Sequence, residues 1–69
     1  VQPNPEIQSW INNMRINGSN TSRQTIIYNN NLYEREGFVN FQMGIQFLGI
    51  RDGFIYFKDT RGAVYRRQL

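Results

Sequence analysis

The chain has 69 residues, 39% of them hydrophobic and 14% aromatic, and a net charge of +3. That is the size of one small domain, and the composition is not that of a disordered segment. With no cysteine and no histidine, disulfides, thiolate metal sites and imidazole acid–base chemistry are excluded.

A chain this short buries only about 60% of the surface it exposes when unfolded. Its aromatic side chains, at roughly 150–250 Å² each, are therefore expected to supply much of the core. No apolar run approaches the ~20 residues of a membrane span, and no signal peptide is visible at Val1-Gln2-Pro3-Asn4-Pro5. Residues 1–4 read as the remnant of a linker from a longer parent protein, and residues 5–69 as a single β domain with an N-terminal helix. The basic side chains are scattered, with only Arg66 and Arg67 adjacent. That pattern fits an ordinary solvated surface better than a dedicated polyanion site.

Asn4-Pro5-Glu6 predicts a helix start: a capping side chain, a proline where no N–H is needed, and an acid at the positive end of the dipole. Ile7, Trp10, Ile11 and Met14 then fall at the spacing of one helical face, predicting a helix from Pro5 to about Asn13. Such a helix is too short to stand alone. It must dock on its own sheet or on a partner. Met14 to Asn17 alternates and reads as a short strand, broken by Gly18-Ser19-Asn20-Thr21-Ser22. Thr25 to Tyr28 is a β-branched and aromatic strand, Asn29-Asn30-Asn31 a tight turn, and Leu32 to Arg35 its return, ended by Gly37.

Asp52-Gly53 separates the alternating runs Ile45–Arg51 and Phe54–Lys58, the signature of a two-residue hairpin. A regular ladder from that turn pairs Arg51 with Phe54, Ile50 with Ile55 and Leu48 with Phe57. One face then carries Leu48, Ile50, Ile55 and Phe57. The other carries Phe47, Gly49, Arg51, Phe54, Tyr56 and Lys58. Asp59-Thr60-Arg61-Gly62 is expected to form a four-residue loop, with Ala63 to Arg67 as the next strand. That would put Val64 in the core beside Phe57 and Tyr65 outside beside Tyr56. The expected fold is mainly β: a short N-terminal helix followed by a five- or six-stranded antiparallel β-sandwich or partly open barrel.

Catalytic groups are scarce. Serine and threonine have no histidine to activate them. Asp52 and Asp59 are accounted for by turns and Glu6 by the helix start. Glu34 and Glu36 share a strand parity, and a carboxylate pair needs burial to do acid–base work; flanking Arg35 beside a glycine turn, they read as a solvated hairpin. No phosphate loop or calcium-loop spacing occurs. The chain is therefore expected to be a non-enzyme without metal or cofactor.

Two patterns touch nucleic acid. Gly37-Phe38-Val39-Asn40-Phe41 matches half of an RNA-recognition consensus, but Glu34-Arg35-Glu36 precedes it and the second helix of that fold is missing. The expected outer face is the better case. There Phe47, Phe54, Tyr56 and Tyr65 lie among Arg51, Lys58 and Arg67, as in SH3-like or OB-like domains that stack bases and pair phosphates. Ordinary cross-strand packing or a protein partner would use the same residues. Asn17-Gly18-Ser19 and Asn20-Thr21-Ser22 are glycosylation sequons in form, and both lie in the expected loop.

From Gln24 to Tyr65 the pattern resembles a small periplasmic domain: the homology region of type II secretion protein C, the C-terminal domain of type II secretion protein B, and the pilus lipoprotein PilP. The resemblance lies in Thr25-Ile26-Ile27-Tyr28-Asn29-Asn30-Asn31-Leu32-Tyr33-Glu34-Arg35-Glu36-Gly37, in Phe47 to Phe57 with its central Gly49 and Gly53, and in Gly62-Ala63-Val64-Tyr65-Arg66-Arg67. It implies a β-sandwich that docks on a protein of an envelope secretion or pilus assembly, such as a secretin, in the periplasm and as part of a longer anchored protein. Edge-strand contact is a common mode for such docking. The segment Met14 to Asn17 matches the family's first strand, which puts Arg15 and Asn17 toward the partner or solvent. A structural domain of a larger parent is the third reading.

Overall fold

Asn4 accepts a hydrogen bond from the Glu6 amide at 2.9 Å, and Pro5 occupies the first helical position. The computed structural model, which describes Val1 to Leu69, accordingly begins with helix α1 over Pro5–Asn12. Seven strands follow: β1 (Ile16–Asn20), β2 (Thr25–Tyr28), β3 (Asn31–Glu34), β4 (Phe38–Asn40), β5 (Ile45–Arg51), β6 (Phe54–Lys58) and β7 (Val64–Gln68). They form two antiparallel sheets, β1-β2-β3 and β4-β5-β6-β7, and do not close into a barrel.

Turn chemistry sets the hairpins. Asn29 and Asn30 both have positive φ (52° and 63°), as do Asp52 and Gly53 (53° and 82°), so each pair makes the two-residue turn whose twist matches its strands. Tyr28 therefore pairs with Asn31, and Arg51 with Phe54. The Asn40 side chain accepts from the Met43 amide at 3.0 Å and turns β4 into β5. This three-residue strand raises the strand number to seven, and β1 starts two residues later than expected and runs on through Gly18, Ser19 and Asn20, which were expected to break it.

The helix docks on its own sheets. Ile7, Ile11 and Met14 join Ile26 of the small sheet and Val39, Ile45, Phe47, Ile50, Ile55, Phe57, Ala63 and Tyr65 of the large one in a single core. Trp10 meets Tyr28 edge to face, with centroids 5.8 Å apart. Each fully buried aliphatic side chain here contributes roughly 1.5–3 kcal/mol.

The expected faces of the large sheet are corrected at two places. Gly49 pairs with Tyr56, but the next pair is Phe47 with Phe57, so Leu48 is an extra residue. This bulge exchanges the faces on its N-terminal side. Phe47, expected outside, is fully buried; Leu48, expected inside, is only half-buried. The second correction follows from the β6–β7 loop, which pairs Lys58 with Val64 and so spans one residue more than expected. Tyr65, expected outside, is in the core, and Val64, expected inside, is 53% exposed.

Gln24 clips the sheets together at the bulge. β4 pairs with only the first half of β5, so the edge beyond Leu48 lacks a strand. The Gln24 amide replaces it: Oε1 accepts from the Ile50 N–H at 2.7 Å, and Nε2 donates to the Ile50 carbonyl at 3.0 Å. Gly49, at φ +148°, permits this approach, since a Cβ there would lie 2.7 Å from Gln24 Oε1. Replacing Gln24 by alanine strips both bonds from a buried backbone unit and is expected to cost about 2 kcal/mol. Urea denaturation should show this as a lower midpoint with an unchanged slope.

Candidate functional site

The outward positions of the large sheet form three cross-strand rows. Arg51, Phe54 and Gln68 make one; Gly49, Tyr56 and Arg66 the next; Gln46, Lys58 and Val64 the third. No carboxylate occurs in any of them. Arg66 lies over the Phe54 ring, its guanidinium carbon 4.7 Å from the centroid. Asp52, in the turn, approaches Arg51 at 3.7 Å, but both side chains are more than 80% exposed, where such a pair is worth little. Beside Gly49 the surface sinks into an open hollow of about 490 Å³, with Arg35, Arg51 and Tyr56 on its walls.

The nine candidate residues separate into distinct groups. Arg51, Phe54, Tyr56 and Lys58 share the outer face, as expected. Phe47 and Tyr65 are core residues. Arg67, paired with Ile55, faces inward instead. Its Nη1 donates to the carbonyls of Ile11 at 2.9 Å and Met14 at 2.6 Å. It thus ties down the Ile11 carbonyl, which also accepts from the Met14 amide at 3.2 Å, and the Met14 carbonyl just past α1, and puts a cation at the negative end of its dipole. Arg15 and Asn17 are exposed at the edge of the small sheet, Asn17 as the unpaired residue of a bulge between Ile16 and Gly18. Glu34 and Glu36 are both exposed and lack the burial an acid–base pair needs. In the half-consensus at Gly37–Phe41, Val39 is a core residue, while Phe38 and Phe41 pack on each other with centroids 5.3 Å apart.

A second surface lies on the small sheet. Gly18, Ile27 and Leu32 pair across its three strands in one row. Ile27 and Leu32 are 40% and 62% exposed, and they line a shallow depression of about 420 Å³ rimmed by Arg23 and Glu34. β1 and β3 are the outer strands of this sheet, so each presents a row of backbone groups with no strand partner. The alternation of Thr25 to Tyr28 already placed Ile27 opposite Ile26. What the sequence lacked was a cue that nothing in the chain covers that face.

Asp59 is the one buried acid, only 3% exposed. Its Oδ1 accepts from the amides of Arg61 and Ala63, at 2.9 and 3.0 Å. Oδ2 accepts from the Tyr65 hydroxyl at 2.7 Å and from Arg61 at 3.2 Å. The Tyr65 hydroxyl in turn accepts from the Asn4 amide at 2.7 Å. Burial by itself would push this carboxyl up. The bonds from Tyr65, Ala63 and Arg61 together outweigh it and hold the group below its ordinary value of 3.8. The acid therefore serves the fold.

Comparison of the chain with known protein families, with curated proteins and with solved structures finds no match.

Two outcomes follow. A folded-state carboxyl held below its unfolded value adds stability above that value, and the contribution is lost as pH falls through the folded one. Stability should thus decline as pH drops below about 4, and Asp59→Asn should make that decline shallower in acid denaturation followed by circular dichroism. Phe47→Ala should cost about 3–5 kcal/mol, enough to unfold most of so small a domain. Tyr56→Ala, on the outer face, should cost about 1 kcal/mol or less on the same urea curves.

Proposed function

We propose that this chain is a non-enzymatic protein–protein docking module of a bacterial envelope secretion or pilus assembly, with a secretin-type component as its partner. One observation carries the reading: the open edge of β1 lies beside an exposed aliphatic row that the fold does not use. Added strands gain affinity from backbone hydrogen bonds and specificity from side-chain pockets. Beyond its bulge at Asn17, β1 continues regularly through Gly18, Ser19 and Asn20. Gly18 has no side chain, so a partner strand laid along β1 reaches the Ile27 side chain across it. The two-sheet architecture is compatible with the periplasmic domains that the Gln24–Tyr65 pattern resembles. A periplasmic location within a longer anchored protein belongs to the same proposal.

Single-stranded nucleic acid is the second reading, and the geometry weakens it. Of four aromatics expected to stack bases, Phe47 and Tyr65 are buried and Phe54 has Arg66 across its ring. Tyr56 alone keeps an open side.

The test is calorimetric titration of the domain with purified periplasmic domains of the secretin encoded in the same genome. Binding is expected, and Ile27→Glu with Leu32→Glu should weaken it at least about tenfold while changing stability by no more than about 0.5 kcal/mol. No heat with any soluble domain of the assembly, together with salt-sensitive binding of oligo-dT, would overturn docking in favour of the second reading.

A further inference from the structure

We propose that the outer face of the four-stranded sheet is a second docking surface, and that it receives an acidic, extended peptide segment of a protein partner. The inference builds on the docking reading but uses a different part of the molecule.

Charge complementarity identifies the occupant. Arg51, Lys58 and Arg66 project from β5, β6 and β7, and Arg35 stands at the rim of the hollow beside Gly49. None of the outward strand positions carries an acid to oppose them. Of the chain's five acids, Glu6 is on the helix, Glu34 on the small sheet and Asp59 in the core. Glu36 lies at the margin of the face, and Asp52, on the wall of the hollow beside Arg51, is the one acid near it, against Arg35, Arg51, Lys58 and Arg66. Guanidinium groups take carboxylates through two parallel N–H donors, a geometry an ammonium does not offer. Arg51 pairs directly with Phe54, and Arg66 lies across the same ring. The aromatic side chain thus holds the Arg66 guanidinium against an apolar surface, while Arg51 stays 83% exposed beside it.

The hollow beside Gly49 gives this face its relief; the place of the glycine's own side chain is taken by Gln24 and Arg35. Tyr56, its partner on β6, borders an opening large enough for a side chain. A segment alternating acidic and apolar residues would set carboxylates against Arg35, Arg51 and Arg66 and an apolar group against Tyr56. A nucleic-acid strand would need a run of open aromatic faces to stack its bases. Here a guanidinium already occupies the Phe54 face.

Fluorescence anisotropy tests this, with a labelled glutamate-rich peptide containing a central tryptophan as the probe. Binding is expected at low salt and should weaken as salt rises. R51E/R66E should weaken it at least about tenfold. R15E/R23E makes the same change in net charge away from this face and should bind like the parent. R51Q alone, at an exposed position beside the turn, should weaken the probe severalfold and provides the reading if the double reversal perturbs folding. Equal loss in R15E/R23E would overturn the proposal, as would no binding by the parent or tighter binding of oligo-dT than of the peptide. Secretin-domain binding that survives R51E/R66E while the parent ignores the peptide would overturn this surface alone. A parent that binds neither the peptide nor the secretin domains would overturn the docking reading as well.

Discussion

The arrangement of the large sheet depends on one extra residue in β5. Leu48 breaks the two-residue period, so Ile45 and Phe47 enter the core from one side of the bulge and Ile50 from the other. Without the bulge, Phe47 would face solvent and Leu48 would take its place. Beyond the bulge β4 no longer pairs with β5, and the Gln24 clip closes that edge. One irregularity thus sets what is buried and where the two sheets join.

The domain treats its strand edges unequally. The second half of β5 is closed by a glutamine amide. β7 lies against α1, and Gln8 donates to the Arg66 carbonyl at 3.2 Å. The edge of the small sheet receives only a bulge at Asn17, a device that blunts pairing without abolishing it. Small domains protect edges against unwanted pairing. The β1 edge, one of the two outer edges of the small sheet, is left open, and the aliphatic row lies beside it.

Local chemistry was legible in the sequence, and long-range chemistry was not. The helix start at Asn4-Pro5-Glu6 and the turns at Asn29-Asn30-Asn31 and Asp52-Gly53 are each decided by neighbouring residues, and each forms where expected, the first turn one residue shorter because Asn31 begins β3. Ile45 and Phe47 alternate with each other and fall out of step with Ile50, while a glycine sits between them and the turn. Those were the marks of a bulge, masked by the clean hairpin pattern next to them. The burial of Tyr65 followed from Asp59, whose turn role was legible but whose place inside was not. Arg67 looked like a surface cation because its partners, Ile11 and Met14, lie more than fifty positions away. Of the candidate surfaces, Arg51, Phe54, Tyr56 and Lys58 were found by strand parity. Arg66 escaped notice because the loop before it was counted one residue short.

The clasp between the chain's two ends has a consequence for how the domain is made. Asn4 bonds to Tyr65, and Arg67 holds the end of α1. The first element therefore completes its contacts only when the last strand is in place. On a ribosome, where residues emerge from the N-terminus onward, α1 leaves the exit tunnel long before β7. It stays too short to persist until β7 has emerged as well. Assembly of this domain therefore waits for its last strand: nearly the entire length must close into a ring of contacts before α1 is secured, and such closure is slow compared with the zipping of its local hairpins.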